Sequence, residues 1–154
     1  MHVAHFSSPI GKIQIVEENG FITNVSFEEP EKDGSGSSLV LDACVLQLEA
    51  FFNGRRTDFD LPLKPKGTDF QKSVWNELQN IPFGKTISYM DMAKRLGEPK
   101  VIRAASTANG KNPIAIIIPC HRVIGSDGSL TGYAGGLKRK QWLLEHESSQ
   151  TSLF

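Results

Sequence analysis

Residues Ile114–Gly125 read "IAIIIPCHRVIG". An apolar run leads into Pro119, a cysteine and a histidine stand side by side at 120 and 121, and Arg122 follows. The apolar run reads as a strand-like segment, and the proline, with its ring-fixed φ, stiffens the backbone in front of the thiol. A cysteine with a pKa near 8.5 is only about 3% thiolate at neutral pH, so a nucleophilic Cys120 needs a cationic or hydrogen-bonding neighbour. His121 is adjacent, but neighbouring side chains on an extended segment point apart, so a bridging water is the expected link between them. A third group should orient the imidazole. The acids closing "GGLKRKQWLLEHE" (residues 135–147), Glu145 and Glu147, lie on a predicted helix that can return to this loop. Taken alone, the Cys-His pair leaves a buried structural thiol, a metal ligand and a nucleophile open. Zinc is disfavoured, because no second cysteine stands at C-x-x-C spacing and the chain has four histidines.

The flank before this stretch is "TISYMDMAKRLGEPKVIRAASTANGKNP", residues 86–113. Ser88 can cap a short helix running through Arg95, Leu96-Gly97 supplies a turn, and Pro99 opens a second helix where its missing N–H costs nothing. Helix, glycine-containing turn, helix is a helix-turn-helix pattern. At 100° per residue the second helix turns Val101, Ala105 and Ala108 inward and Lys100, Arg103, Ser106 and Thr107 outward. That outer face, small and basic, suits close approach to a sugar-phosphate backbone; a helix pair packed for structure alone has the same pattern. Further upstream, Thr68 reads as an N-cap, with Phe70, Val74, Trp75 and Leu78 on one face and "IPFG" as the stop. Trp75 is expected in the core.

The N-terminal part has a different texture. Asn19-Gly20 separates Ile13 and Ile15 from Phe21, Val25 and Phe27, a hairpin signal, and Val3–Phe6 suggests a third strand. After a polar loop at Glu31–Ser38, the apolar residues Leu41, Cys44, Val45, Leu48, Phe51 and Phe52 recur at helical spacing up to Asn53-Gly54. Cys44 sits on that stripe and reads as an inert buried thiol. Thr57–Gly67, with two prolines and a glycine, is the expected connector. The fold class is therefore α+β: residues 1–66 form a small antiparallel sheet with a helix, and residues 67–154 form a helical domain with a helix-turn-helix and an active-site loop.

The chain has 154 residues, 39% hydrophobic and 22% charged, and zero formal net charge, which argues against a general nucleic-acid binder. The charge is segregated, however. Residues 1–66 carry 6 Lys/Arg against 10 Asp/Glu, net −4, and residues 67–154 carry 11 against 7, net +4. A phosphate-facing surface can therefore be local to the C-terminal half. No apolar run approaches the roughly 18 residues of a membrane span, and Met1–Gly20 lacks the features of a signal peptide. The expected location is the cytoplasm, with both cysteines reduced.

"IPFGKTISY" (81–89), "RAASTANGKNP" (103–113), "IIIPCHRVIG" (116–125) and "LTGYAGGLKRKQWLLEHE" (130–147) follow one another in this order. Together they resemble the O6-alkylguanine-DNA alkyltransferases, the methylated-DNA-protein-cysteine methyltransferases, over residues 68–147, with the N-terminal part fitting that family's variable domain. The resemblance implies that Cys120 accepts the alkyl group, that His121 acts with a water as general base, and that Glu147 orients His121. It makes Tyr89 the residue that contacts the flipped nucleotide and helps protonate the departing guanine. Arg103 would fill the gap left in the duplex and Asn112 would brace the active-site loop. Backbone groups of Cys120 and Val123 would read the guanine edge, Tyr133 and Ala134 would line the pocket, and Lys100, Ser106 and Thr107 would lie along the DNA. The implied partner is double-stranded DNA carrying O6-alkylguanine, with O4-alkylthymine as a second substrate. No cofactor, metal or membrane is expected, and the protein is expected to act as a monomer.

Two positions depart from the pattern. Ala134 stands where many members have serine, and Ser106 where a glycine is common. The zinc ligands of some eukaryotic relatives are not evident: His2 and His5 exist, but no cysteine precedes Cys44. A non-catalytic binder of alkylated bases with the same fold is the alternative, and its kind lacks the acceptor cysteine that this chain keeps. A cysteine hydrolase would need an oxyanion hole for which no motif is found.

Overall fold

The computed structural model describes residues 1–27 and 36–151, so the first five residues of the expected polar loop at Glu31–Ser38 lie outside it. The described chain divides into two compact units, one built from Met1–Lys66 with Pro113–Ile117, the other from Gly67–Asn112 with the chain from Ile118 on.

In the first unit, strands β1 (His2–Ser8), β2 (Gly11–Glu18) and β3 (Phe21–Ser26) form an antiparallel sheet in that order. Asn19 and Gly20 turn β2 into β3 with φ of 53° and 85°, the two positive values that a tight hairpin demands and that Asn and Gly tolerate. The β2–β3 register shifts between Val16 and Glu17. This irregularity breaks the strict alternation along β3: Ile22 and Val25 are buried, whereas Phe21 is 37% exposed. Helix α1 (Leu39–Phe52) starts where the Ser38 hydroxyl accepts the Leu41 N–H at 3.1 Å, and it buries Leu41, Cys44, Leu48, Phe51 and Phe52. Each such apolar side chain contributes about 1.5–3 kcal/mol on burial.

Pro113–Ile117 completes this unit, but not as the expected strand. A single parallel bridge joins Ile114 to Val25, with the Val25 N–H donating to the Pro113 carbonyl and the Ala115 N–H to the Val25 carbonyl. The chain then turns: the Ile117 N–H reaches the Ala115 carbonyl at 2.8 Å, and Ile116 has φ of 72°. A β-branched residue in the left-handed region is strained, by about 1–3 kcal/mol. The apolarity of the run reflects burial, since Ile114 and Ile116 are at most 1% exposed.

The second unit contains α2 (Asp69–Leu78), β4 (Ile87–Ser88), α3 (Tyr89–Arg95), α4 (Ile102–Gly110), β5 (Val123–Ile124) and α5 (Leu137–Thr151). Capping boxes start two of the helices, Thr68 with Gln71 at α2 and Ser88 with Asp91 at α3. On α2, Val74, Trp75 and Leu78 are buried, but Phe70 is 36% exposed because it lies in the first turn, at the edge of the contact face. The Trp75 indole N–H donates to the Ala108 carbonyl at 2.8 Å and ties α2 to α4. Helix α3 stops at Leu96, Gly97 takes φ of 106°, and Pro99–Val101 makes one 3-10 turn before α4. This is the expected helix-turn-helix. The parallel pair β4–β5 sets Ile87 beside Val123, which places Tyr89, at the start of α3, close to the turn carrying Cys120. Helix α5 extends one turn beyond the expected end and buries Lys140, Leu143 and Glu147, one stripe at three- and four-residue spacing that includes two charged side chains. Among the described residues no helix is long and apolar enough to cross a membrane.

Candidate active site

Cys120, His121 and Arg122 form one 3-10 turn rather than an extended segment. The turn is closed by the Arg122 N–H on the Pro119 carbonyl and the Val123 N–H on the Cys120 carbonyl, and preceded by the Cys120 N–H on the Ile118 carbonyl. All three side chains are buried. Nε2 of His121 lies 2.6 Å from Oε2 of Glu147. Arg122 grips the same carboxylate with two nitrogens, Nε at 2.9 Å and Nη2 at 3.1 Å, and donates from Nη1 to the Ile81 carbonyl. The Gly84 N–H adds a weaker contact at 3.3 Å.

The charges of this cluster follow from those partners. Burial alone would raise the Glu147 pKa; the hydrogen bonds of His121 and Arg122 and the charge of Arg122 outweigh it and hold the carboxyl at about 2. Burial depresses the His121 pKa, and the attraction of Glu147 only partly opposes that. The balanced state is an ionised Glu147 paired with Arg122 and a neutral imidazole. A neutral ring that donates Nε2–H to Glu147 carries its lone pair on Nδ1. That Nδ1 is buried and has no hydrogen-bond partner in the protein.

The thiol of Cys120 is pushed up by burial, against which the Asn112 side chain, the charge of Lys140 and its own backbone N–H pull down. Asn112 also donates from Nδ2 to the Ile118 carbonyl at 2.8 Å, so one amide touches both sides of the turn's entrance. Lys140 has no exposed surface; its Nζ donates to the Val123 and Thr131 carbonyls, each at 2.7 Å, and lies 5.7 Å from the Tyr89 ring centre. Burial lowers its pKa to about 8. The Tyr89 hydroxyl donates to the same Thr131 carbonyl at 2.8 Å. Its pKa is raised, by burial first and by the neighbouring Cys120. Tyr133 is buried and feels Cys120 too. Gly132 has φ of 66°, and a Cβ there would stand 3.0 Å from the Tyr89 hydroxyl, so glycine is what lets the loop pass the phenol. An open cleft of about 580 Å³ lies over Gly110, Thr131, Gly132, Tyr133 and Ala134.

Of the residues expected in a site, Cys120, His121, Glu147, Asn112, Tyr89 and Tyr133 come together here, with the Val123 carbonyl on Lys140 and Ala134 at the cleft. Lys100, Arg103 and Thr107 are exposed, whereas Ser106 is half-buried and its hydroxyl bonds back to the Ile102 carbonyl at 2.7 Å, inside its own helix. Sequence reasoning missed Arg122, Lys140 and Asn109. A signal existed for Arg122, because a buried Glu147 requires a counter-ion. Asn109, 1% exposed, donates from Nδ2 to the Cys120 carbonyl at 3.3 Å. Among the described residues no group of three or more His, Cys, Asp or Glu side chains is arranged to hold a metal.

Two family models match the chain. The 6-O-methylguanine DNA methyltransferase DNA-binding domain covers residues 69–149, and the ribonuclease-like domain of the same proteins covers residues 1–65. A methylated-DNA–protein-cysteine methyltransferase of Methanosarcina acetivorans is 47% identical, covering 97% of this chain and 99% of its own. One of Mycobacterium tuberculosis is 44% identical over 97% of this chain and 94% of its own. The crystal structure of the M. tuberculosis protein in complex with DNA superposes with a TM-score of 0.88 at 44% identity, covering 97% of this chain and 94% of that one. An O6-methylguanine DNA methyltransferase structure from Methanococcus jannaschii gives 0.65 at 27% identity, covering 94% and 93%. With both halves matched and relatives this similar along the whole length, the chain belongs to the 6-O-methylguanine DNA methyltransferase family.

Proposed function

We propose that this protein repairs DNA by direct reversal, moving the alkyl group of O6-alkylguanine, and of O4-alkylthymine, onto its own Cys120. The observation that carries this reading is the buried Glu147–His121 pair next to the buried Cys120, in which an ionised carboxylate fixes the imidazole tautomer and leaves Nδ1 free to take a proton. The thiol proton passes through a water to Nδ1, and the thiolate attacks the alkyl carbon in line with the C–O6 bond. A carbon–sulfur bond forms, the carbon–oxygen pair returns to the purine, and Tyr89 delivers its phenolic proton to the departing guanine. Proton exchange with solvent then restores Tyr89 and His121. Lys140 and Asn112 favour the thiolate over the thiol in surroundings that would otherwise suppress it. The product is a thioether with no easy hydrolysis route, so each molecule acts once.

The target carbon is out of reach in a stacked duplex, so the nucleotide must be extruded. In this reading Arg103 holds the vacated space, Lys100 and Thr107 meet the backbone, and Tyr133 and Ala134 line the pocket. The backbone of Val123 reads the base edge, and Ser106 contributes a small surface rather than its hydroxyl. Residues 67–154 carry DNA binding and alkyl acceptance, and residues 1–66 form the accompanying N-terminal domain. The protein acts as a cofactor-free monomer in the cytoplasm. Incubation with duplex containing labelled O6-methylguanine tests this: one label per protein on Cys120 is expected. Binding without transfer would make it a recognition protein, and many turnovers would make it a different enzyme.

A further inference from the structure

We propose that Asn109 is a positioning residue whose carboxamide bridges the nucleophilic and proton-donating halves of the site, holding the Cys120 carbonyl with one N–H and the Tyr89 phenol with the other. The proposal rests on the reading of Tyr89 as proton donor. Asn109 lies on α4, the helix whose outer face carries exposed Arg103 and Thr107, yet it is 1% exposed. The orientation of its amide follows from its neighbours. A carbonyl only accepts, so the atom facing the Cys120 oxygen is Nδ2. The Tyr89 hydroxyl already donates its proton to the Thr131 carbonyl, which leaves its lone pairs to accept, and the Asn109 side chain is among the groups that pull its pKa down against burial, as a hydrogen bond to the phenol oxygen would. One N–H is thus spent on the Cys120 carbonyl, and the second is the donor left for the phenol oxygen.

The other end of the amide strengthens the case. Oδ1 is buried and makes no hydrogen bond within the protein, so the side chain is not placed to satisfy itself. An apolar side chain of the same size would avoid that orphan acceptor but supply neither donor. The consequence for chemistry is directional. A hydrogen bond donated to the phenol oxygen stabilises the phenolate left after proton delivery, and it works against the burial that raises the Tyr89 pKa. One helix would therefore serve three points: the DNA side through its exposed Arg103 and Thr107, the Cys120 backbone through Asn109, and the phenol through the same amide.

The test is a double-mutant cycle on single-turnover transfer from duplex O6-methylguanine, using Asn109→Leu, Tyr89→Phe and the double variant, with DNA affinity and melting temperature measured alongside. Asn109→Leu should slow transfer about 10- to 100-fold, the range for a misplaced reacting group, with DNA affinity unchanged within about threefold. In the Tyr89→Phe background the same substitution should lose most of its effect, which a merely structural role would not do. Asn109→Ser, smaller and still a donor, should fall between wild type and Asn109→Leu and serves if the leucine variant folds poorly. A slow Tyr89→Phe with an undiminished Asn109→Leu effect would overturn the bridge alone. Tyr89→Phe at the wild-type rate would overturn the Tyr89 reading and the bridge with it. An unchanged rate in Asn109→Leu would overturn the bridge directly.

Discussion

Cys44 and Cys120 are both buried, at 0% and 5% exposure, and only their neighbours separate them. Around Cys44 on α1 the interior is apolar, nothing offsets the cost of a charge, and burial pushes the thiol to about 12. Around Cys120 burial acts in the same direction, but an amide, an ammonium and a backbone N–H oppose it. Burial of a cysteine is thus neutral about function; the polar groups that accompany it decide. The largest effect expected here tests that difference. Cys120→Ser should abolish transfer while DNA affinity stays within a few fold, and Cys44→Ser should transfer normally. Mass spectrometry of reacted wild type should find one adduct, on Cys120; an adduct on Cys44 would break the comparison.

The cluster behind Cys120 should respond next. Glu147→Gln removes the carboxylate that fixes the imidazole and should slow transfer about 10- to 1000-fold. It also leaves Arg122 buried without its counter-ion, which costs about 3–5 kcal/mol of stability. The pH dependence has a definite sign. The folded Glu147 pKa, about 2, is below the ordinary 4.5, so its stabilising contribution is full above about pH 4.5 and is lost as the pH falls toward 2. His121 is held below its ordinary 6.5, so the unfolded chain takes up that proton first and stability drops as the pH falls through 6.5. Urea unfolding from pH 8 to pH 2 should show both declines in wild type. A Glu147→Gln variant whose acid limb matches wild type would remove Glu147 from this account.

Arg103 tests whether the exposed face of α4 handles DNA separately from the chemistry. Extruding a base costs a few kcal/mol of stacking, part of which an inserted side chain recovers, so Arg103→Ala should slow transfer from duplex roughly 10- to 100-fold. Free O6-benzylguanine needs no extrusion, and the residues Ala134, Gly135 and Gly136 put no bulky side chain at the cleft, so its reaction should stay near the wild-type rate. Equal damage to both reactions would mean that Arg103 supports the fold or the thiol.

Much of this was readable from the sequence because local rules were obeyed. Ser88 three residues before Asp91, and Asn19-Gly20 between apolar segments, each specify a backbone geometry that the structure adopts. What could not be read depends on contacts distant in sequence. The run Ile114–Ile118 is apolar whether it forms a strand or a buried turn, and only the bridge to Val25 and the positive φ of Ile116 decide. Phe21 points outward because of a register shift two strand positions away, which no periodicity encodes. Lys140 reads as one more surface lysine in "LKRKQW"; its burial becomes visible only when it is set in one helical stripe with Leu143 and Glu147. Asn109 gave no signal, since a carboxamide near a helix end is ordinary.

Lysines supply the smallest expected effects and a second version of the same comparison. Lys140 is fully buried beside Cys120, and Lys100 is exposed in the 3-10 turn that leads into α4. Lys140→Met keeps the length of the stem and removes the charge that favours the thiolate. The apparent thiol pKa, followed by iodoacetamide alkylation against pH, should rise, so the alkylation profile moves to higher pH and the reaction at pH 7 slows. Lys100→Ala should leave that profile untouched. If Lys100 meets a single phosphate, its loss should weaken binding across all DNA sequences and reduce the salt slope by about one unit. The two variants therefore move different measurements, one the thiol titration and the other the logarithm of affinity against the logarithm of salt. A Lys100→Ala protein with an unchanged salt slope would show that this lysine is only solvated surface, and a Lys140→Met protein with an unchanged thiol profile would show that its buried charge serves the two carbonyls and not the nucleophile.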